Sequence, residues 1–239
     1  MGLQRQRTVV AQDFRDISST KQEMLGALSE TADGRKYRYA LAGAVALSPG
    51  KICVNADLVA NHTDQNIAVS GVAGDTKVSL TLGATAATNQ YQDGYLVIND
   101  ATGEGINYLI AGHPAADSAG TLVVNLAEPL EAAVTATTTQ YTLKANNYSG
   151  VVISIADQAD QCVGVPNVAV TAAYYAWLQT HGECAVLADE AVTKGLALTI
   201  GSSTVGAVEA LDAAGEHQIG VASEALVDTE YRSAFLTID

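Results

Sequence analysis

Charge is the first thing this chain of 239 residues has little of: 16% of it is Asp, Glu, Lys or Arg, where about 25% is usual for a globular domain. Basic residues are the scarcer kind, twelve against twenty-six acidic ones, for a net charge of -14. A body so poor in Lys and Arg cannot displace the counterions around phosphates, so nucleic acid is not expected as a partner. Aromatic residues make up 5%, thin material for the stacking walls of a sugar-binding cleft. The three cysteines, Cys53, Cys162 and Cys184, are odd in number and widely spaced. That spacing makes neither a disulfide framework nor a CxxC metal site, and they read as small buried hydrophobes. No apolar run reaches the roughly 18 residues of a membrane-spanning helix. The polar stretch Gln4 to Thr8 follows Met1 where a secretory segment would be apolar. No membrane contact is expected, and synthesis in a cytoplasm is.

What is present is β-material. Thr76 to Leu82 alternates, with Val78, Leu80 and Leu82 on one face and Lys77, Ser79 and Thr81 on the other, as a half-buried strand requires. Tyr95 to Ile98, Ile106 to Ile110, Thr121 to Leu126 and Gln140 to Leu143 are further strands between Gly, Asn and Asp clusters. These five lie in a block, residues 61–145, bounded by Asn61-His62-Thr63-Asp64 and Asn146-Asn147, which reads as an inserted β-domain. Before it, Leu25 to Thr31, the turn Ala32-Asp33-Gly34-Arg35 and Lys36 to Tyr39 make a hairpin, since an Asp-Gly turn tolerates positive φ. Lys21 to Leu28 could instead form a short helix capped by Ser19 or Thr20. After the block, Val151 to Ile155 and Val168 to Trp177 lead into the stretch Trp177 to Asp239, a series of short β-runs each closed by a glycine or a polar turn. Residues 25–60 and 146–239 are therefore read as one β-barrel-like base, and residues 1–24 as an extended N-terminal arm that orders only against something else.

Charge is also unevenly placed. The first 38 residues hold seven basic and five acidic side chains, and the remainder holds five basic and twenty-one acidic ones. A mildly basic arm on an acidic body suits an acidic protein surface, and a solvated tail is the plainer alternative. The candidate partner-binding residues are Arg5, Arg7, Phe14, Arg15, Lys21, Arg35 and Arg38.

Catalytic patterns are hard to assemble. His62, His113, His181 and His217 show no ligand spacing, and HExxH is absent, so no metal site is expected. Asn99 to Gly105 lacks the Lys-Ser/Thr of a phosphate loop and the spacing of a calcium loop, and reads as a tight turn between strands. Gly-x-Ser-x-Gly does not occur. Paired carboxylates remain the one route to an enzyme, with Asp100, Glu104, Asp189 and Glu190 as the residues to test. No catalytic residue and no cofactor is assigned.

Three segments carry a family resemblance: Asp33 to Lys51, Gly94 to Gly105 with His113-Pro114, and Trp177 to Leu187. Together they resemble the capsid decoration, or cement, proteins of tailed bacteriophages. The resemblance extends over most of residues 25–239, ends at Gln218 to Ala222 in a manner similar to the family, and does not reach the first 20 residues. It implies an all-β fold with a small antiparallel barrel or tulip-like base, a non-enzymatic role on the outer surface of the virion head, and bridging of major capsid protein subunits. Neighbouring copies of the chain, in a trimer by family analogy, are the other implied partners. A head-fibre or adhesin module whose middle domain binds host-surface glycans is the alternative.

Overall fold

Alternating burial is what organises the middle of the chain. In the computed structural model, which describes residues 12–156, 158 and 160–239, Val78 and Leu80 are buried while Lys77 and Thr81 are exposed. The same alternation recurs in the strands around them, so one face of each must be covered. Closure of the sheet on itself provides the cover.

In chain order the base opens with β1 (Leu28–Glu30), β2 (Lys36–Ala42) and β3 (Cys53–Val54). The middle block contributes a 3-10 turn (Ala60–His62), β4 (Gln65–Val69), β5 (Lys77–Thr81), β6 (Tyr95–Asp100), β7 (Asn107–Gly112), β8 (Thr121–Leu126) and β9 (Gln140–Lys144). The base resumes with β10 (Ser149–Ile153), β11 (Cys162–Pro166), β12 (Tyr175–Leu187), β13 (Ala197–Ile200), β14 (Val208–Ala210), β15 (Gly220–Ala222) and β16 (Tyr231–Thr237). The protein is all-β, with no α-helix among the described residues. Two compact units result, Met1–Ala56 with Asn147–Asp239, and Asp57–Asn146.

The inserted unit is a closed barrel in the order β4-β5-β8-β7-β6-β9, every pair antiparallel. Its core is filled by Ile67, Leu80, Leu96, Ile98, Ile110, Leu122 and Val124 together with Tyr91, Tyr108 and Tyr141. The stretch expected as a turn from Asn99 to Gly105 is one from Ala101 on, Asn99 and Asp100 being the end of β6, with Ala101, Gly103 and Gly105 at positive φ. The barrel's tyrosine hydroxyls reach backbone groups: Tyr141 donates to the Thr81 carbonyl at 2.7 Å, and Tyr108 accepts the Glu131 N–H at 3.1 Å.

The base is a ten-stranded sheet in the order β1-β2-β10-β3-β11-β12-β16-β15-β13-β14. An additional pairing of β2 with β12 closes β2, β10, β3, β11 and β12 into a five-membered ring, a small barrel from which β16, β15, β13 and β14 extend. One feature departs from an antiparallel barrel: β10 runs parallel to β2. Such a pair needs a long crossover, and here the whole inserted unit lies in the connection between them.

β12 is longer than the sequence suggested. Val168 to Tyr174 precede it as turns, and it then runs thirteen residues straight through Gly182, which had read as a strand end. Gly182 sits at φ +87°, and a Cβ there would meet Arg35 Cγ at 2.9 Å. With a bulge between Gln179 and His181, this lets β12 pair with β2 over its first half and β16 over its second.

Two further expectations are corrected. The short helix weighed for Lys21 to Leu28 does not form, because the chain turns at Gly26 (φ +80°), whose N–H donates to the Tyr39 carbonyl at 2.8 Å. The extended arm of residues 1–24 is not a free arm from Gln12 onward: it lies on its own base, with Ser18 bridged to Tyr175.

Candidate functional site

β2 and β12 carry aromatic residues at alternate positions, and pairing brings Trp177 directly opposite Tyr39. Tyr37, Tyr39 and Trp177 are buried with Leu25, and Tyr175 packs against them. The Tyr39 and Trp177 rings meet edge to face at 5.1 Å, and Tyr39 stacks on Tyr175 at 5.8 Å. Residues 12–18 complete this cluster. Phe14 stacks on Tyr37 at 4.4 Å and meets Trp177 edge-on at 5.6 Å. Gln12 is buried; its carbonyl accepts the Trp177 indole N–H at 3.0 Å and its side-chain oxygen accepts the Tyr39 hydroxyl at 2.9 Å. The Trp177 indole and the Tyr39 hydroxyl are thus answered by the segment lying on them, and the Tyr37 hydroxyl accepts from Asn167 Nδ2 at 3.2 Å, the condition for burying these groups without penalty.

Beside this segment a cleft of about 530 Å³ opens in the base, lined by Arg15, Arg35, Pro49, Gly50, Asn167, Gln179, Glu183, Cys184, Ala185 and Tyr231. Its depth is an amide network. The buried Gln179 accepts from Asn167 Nδ2 at 2.9 Å and donates to the carbonyls of His181 at 3.0 Å and Glu183 at 2.8 Å, spanning the bulge of β12. Cys184 turns its thiol toward Asn167 Oδ1 at 3.6 Å, and burial pushes that thiol up to about 12, so it stays protonated and unreactive. Glu183 is occupied as well: Ser223 and Ser233 each donate a hydroxyl to one of its oxygens at 2.7 Å.

The two guanidiniums are differently held. Arg35 uses Nε on Asp33 at 2.8 Å, its Cζ lies 5.9 Å from the Tyr37 ring centre, and its stem fills the space left by Gly182. Thr31 also donates to Asp33, and this hydrogen bond, ahead of Arg35, holds the Asp33 carboxyl below its usual range. Arg15 is exposed, and its guanidinium has no hydrogen-bond or ion-pair partner among the described residues. The cleft therefore offers unused cationic N–H donors next to a half-exposed tyrosine, Tyr231.

The other residues singled out by sequence lie elsewhere. Arg5 and Arg7 fall outside the described residues. Lys21 is half-buried at the end of the docked segment. Arg38 is held by Asp239, with Nε and one terminal nitrogen on its two oxygens at 2.6 and 2.9 Å, and it also donates to the Gly26 carbonyl at 2.8 Å. That shared hydrogen bonding raises the guanidinium and lowers the carboxyl from their ordinary values. Of the seven, the structure brings Arg15 and Arg35 onto one cleft and places Phe14 inside the fold.

No family model, curated protein or solved structure matches this chain. The four carboxylates to be tested for catalysis lie in separate units, Asp100 and Glu104 in one and Asp189 and Glu190 in the other. Three of them serve backbone N–H groups: Asp100 that of Ala101 at 2.7 Å, Asp189 that of Ser203 at 2.8 Å and Glu190 that of Ala210 at 3.1 Å. Among the described residues no cluster of His, Cys, Asp and Glu could hold a metal ion. No helix among them is long and apolar enough to cross a membrane.

The histidine pair of the inserted barrel was not visible in sequence. His62 and His113 are buried on either side of Tyr91. His62 donates from Nε2 to the Ala84 carbonyl at 2.9 Å and shares a hydrogen bond at Nδ1 with the Tyr91 hydroxyl; His113 donates from Nδ1 to the Pro114 carbonyl at 2.8 Å and accepts the Tyr91 N–H at Nε2. The His113 ring is neutral in this arrangement, because its Nε2 accepts a backbone N–H. The cleft residues Asn167, Gln179, Glu183, Cys184 and Tyr231 were missed too, since they converge only through strand pairing and carry no local motif.

Proposed function

We propose that the chain is a non-enzymatic decoration protein of a tailed-bacteriophage capsid, bound to the outer surface of the head and bridging major capsid protein subunits. The observation that carries this reading is the resemblance of Asp33 to Lys51 and Trp177 to Leu187 to that family, in segments that are direct neighbours in the fold. They form β2 and β12, paired from Tyr175↔Leu41 to His181↔Lys36. The two phrases thus belong to one compact unit, the base, which is the unit expected to meet the capsid. A decoration protein acts in many copies, so modest contacts suffice through avidity. The inserted barrel would face away from the head, and neighbouring copies, in a trimer, would share contacts along the lattice.

The decisive experiment mixes purified protein with expanded, undecorated heads. Stoichiometric binding together with a raised temperature of DNA release is the expected result. Failure to bind, or binding with no gain in resistance, overturns the proposal. Binding of the protein to host cells in place of heads would favour the adhesin alternative.

A further inference from the structure

We infer that the cleft between the docked N-terminal segment and the second half of β12 is a recognition site for an acidic peptide segment carried by a protein partner. The inference stands on the cleft's own chemistry and does not require the capsid proposal. Its volume, about 530 Å³, lies within the roughly 300–1,000 Å³ typical of ligand sites. Its lining is richer in basic groups than the rest of the molecule, with two guanidiniums against one carboxylate and Asp33 paired to Arg35 beside it. The chain carries -14 overall, yet the cleft presents Arg15 and Arg35, and its one carboxylate, Glu183, has both oxygens bound to serine hydroxyls.

A guanidinium has five N–H donors. Arg35 spends one on Asp33 and Arg15 spends none, so both can take a carboxylate, in the two-pronged geometry that makes such contacts strong. Distant acidic residues do not cancel this pair, because at physiological salt charges beyond about 8 Å are screened. The site is also open along one side, where Arg15, Pro49, Glu183, Ala185 and Tyr231 are all exposed. An open trough with two separated cations and a tyrosine fits a run of chain bearing two carboxylates and an apolar residue better than a compact anion. Pro49-Gly50 sets one wall: Gly50 lies at φ +73°, and a Cβ there would meet the Tyr231 ring at 2.7 Å, so the ring packs flush against the glycine and forms an apolar part of the lining.

The test is calorimetric titration of the full chain with an end-blocked five-residue peptide holding two glutamates around a phenylalanine. The same peptide with glutamines, and inorganic phosphate alone, are run beside it. Saturable binding of the glutamate peptide is expected, weakened about tenfold by Arg15→Gln and about tenfold by Arg35→Gln. Arg15→Gln disturbs no other described contact, so it reports on the site even if Arg35→Gln, which loses Asp33, alters the nearby turn; circular dichroism of both variants checks this. Equal binding of the glutamine peptide overturns the proposal. So does an affinity unmoved by Arg15→Gln, or binding of phosphate as tight as that of the peptide.

Discussion

In the inserted barrel β4 is hydrogen-bonded to both β5 and β9, and every one of the six strands has a neighbour on each side. The base ends instead in β1 and β14, each three residues long. An unpaired strand edge invites association, and short strands are one way to blunt it. β14 is blunted further, because its outer side meets Ala188 and Asp189 and the Ala210 N–H is taken by Glu190. The barrel needs nothing outside itself to close its core, whereas the base relies on residues 12–18 to cover Trp177 and on Asp239 to hold Arg38. Self-sufficiency in one unit and borrowed cover in the other should separate in their responses to substitution.

The largest effect expected is from Trp177→Ala, which removes a buried indole, its hydrogen bond to Gln12 and its contact with Phe14. A loss of about 3–5 kcal/mol is expected for such a deletion, confined to the base, so that scanning calorimetry shows one transition lowered and the barrel transition unmoved. A single transition shifting as a whole would break the distinction between the units. Tyr141→Phe is the complementary change in the barrel. It removes the hydroxyl that serves the Thr81 carbonyl and should cost about 1–3 kcal/mol, again read as movement of one transition.

Acid should distinguish the units next. Burial, helped by the nearby His62, lowers the His113 pKa below its usual value. A histidine depressed in the folded state binds fewer protons there than when unfolded. Stability is therefore full above the unfolded value, falls as pH drops from about 6.5 toward the lower folded value, and falls no further beneath it, with a slope of at most about 1.4 kcal/mol per pH unit for this one group. The barrel transition should drop between pH 7 and pH 5, and His113→Gln should flatten that slope. The base has no buried histidine among its described residues, since His181 is half-buried and His217 exposed. The smallest effect is Arg38→Gln. The pair with Asp239 is about a quarter exposed on each side, so solvent screening limits it to under about 1 kcal/mol. Its loss should remove part of the salt sensitivity of the base transition and none of the barrel's.

Local pattern carried much of the fold. Val78 and Leu80 alternate because one face of β5 is covered, and Asp33-Gly34 reads as a turn because Gly34 takes φ +86°. Closure left no such trace: whether β4 pairs with β9, or β2 with β12, depends on partners distant in sequence. Gly182 shows how a local signal misleads, since a glycine that punctuates a strand and one that bends it look alike in sequence. The N-terminal segment misled for another reason. Its charges suited an acidic partner surface or a solvated tail, but the residues that hold it are Gln12 and Phe14, whose partners Tyr39 and Trp177 come from elsewhere in the chain. Of the cleft, only Arg15 and Arg35 could be named beforehand, as loose cations without a location.

The pairing of β4 with β9, Gln65 opposite Tyr141 and Asn66 opposite Gln140, has a practical corollary. The first and last strands of the insertion lie side by side, and in the base Ala56 packs close to Gly150, with 3.5 Å between its Cβ and one placed on that glycine. The barrel is thus attached as a loop whose two stems are adjacent, and a short linker could replace it without stretching either end. The chain has the layout of a socket: a foreign domain with neighbouring termini could be grafted at Asp57 and Asn146, and the base would carry it as cargo.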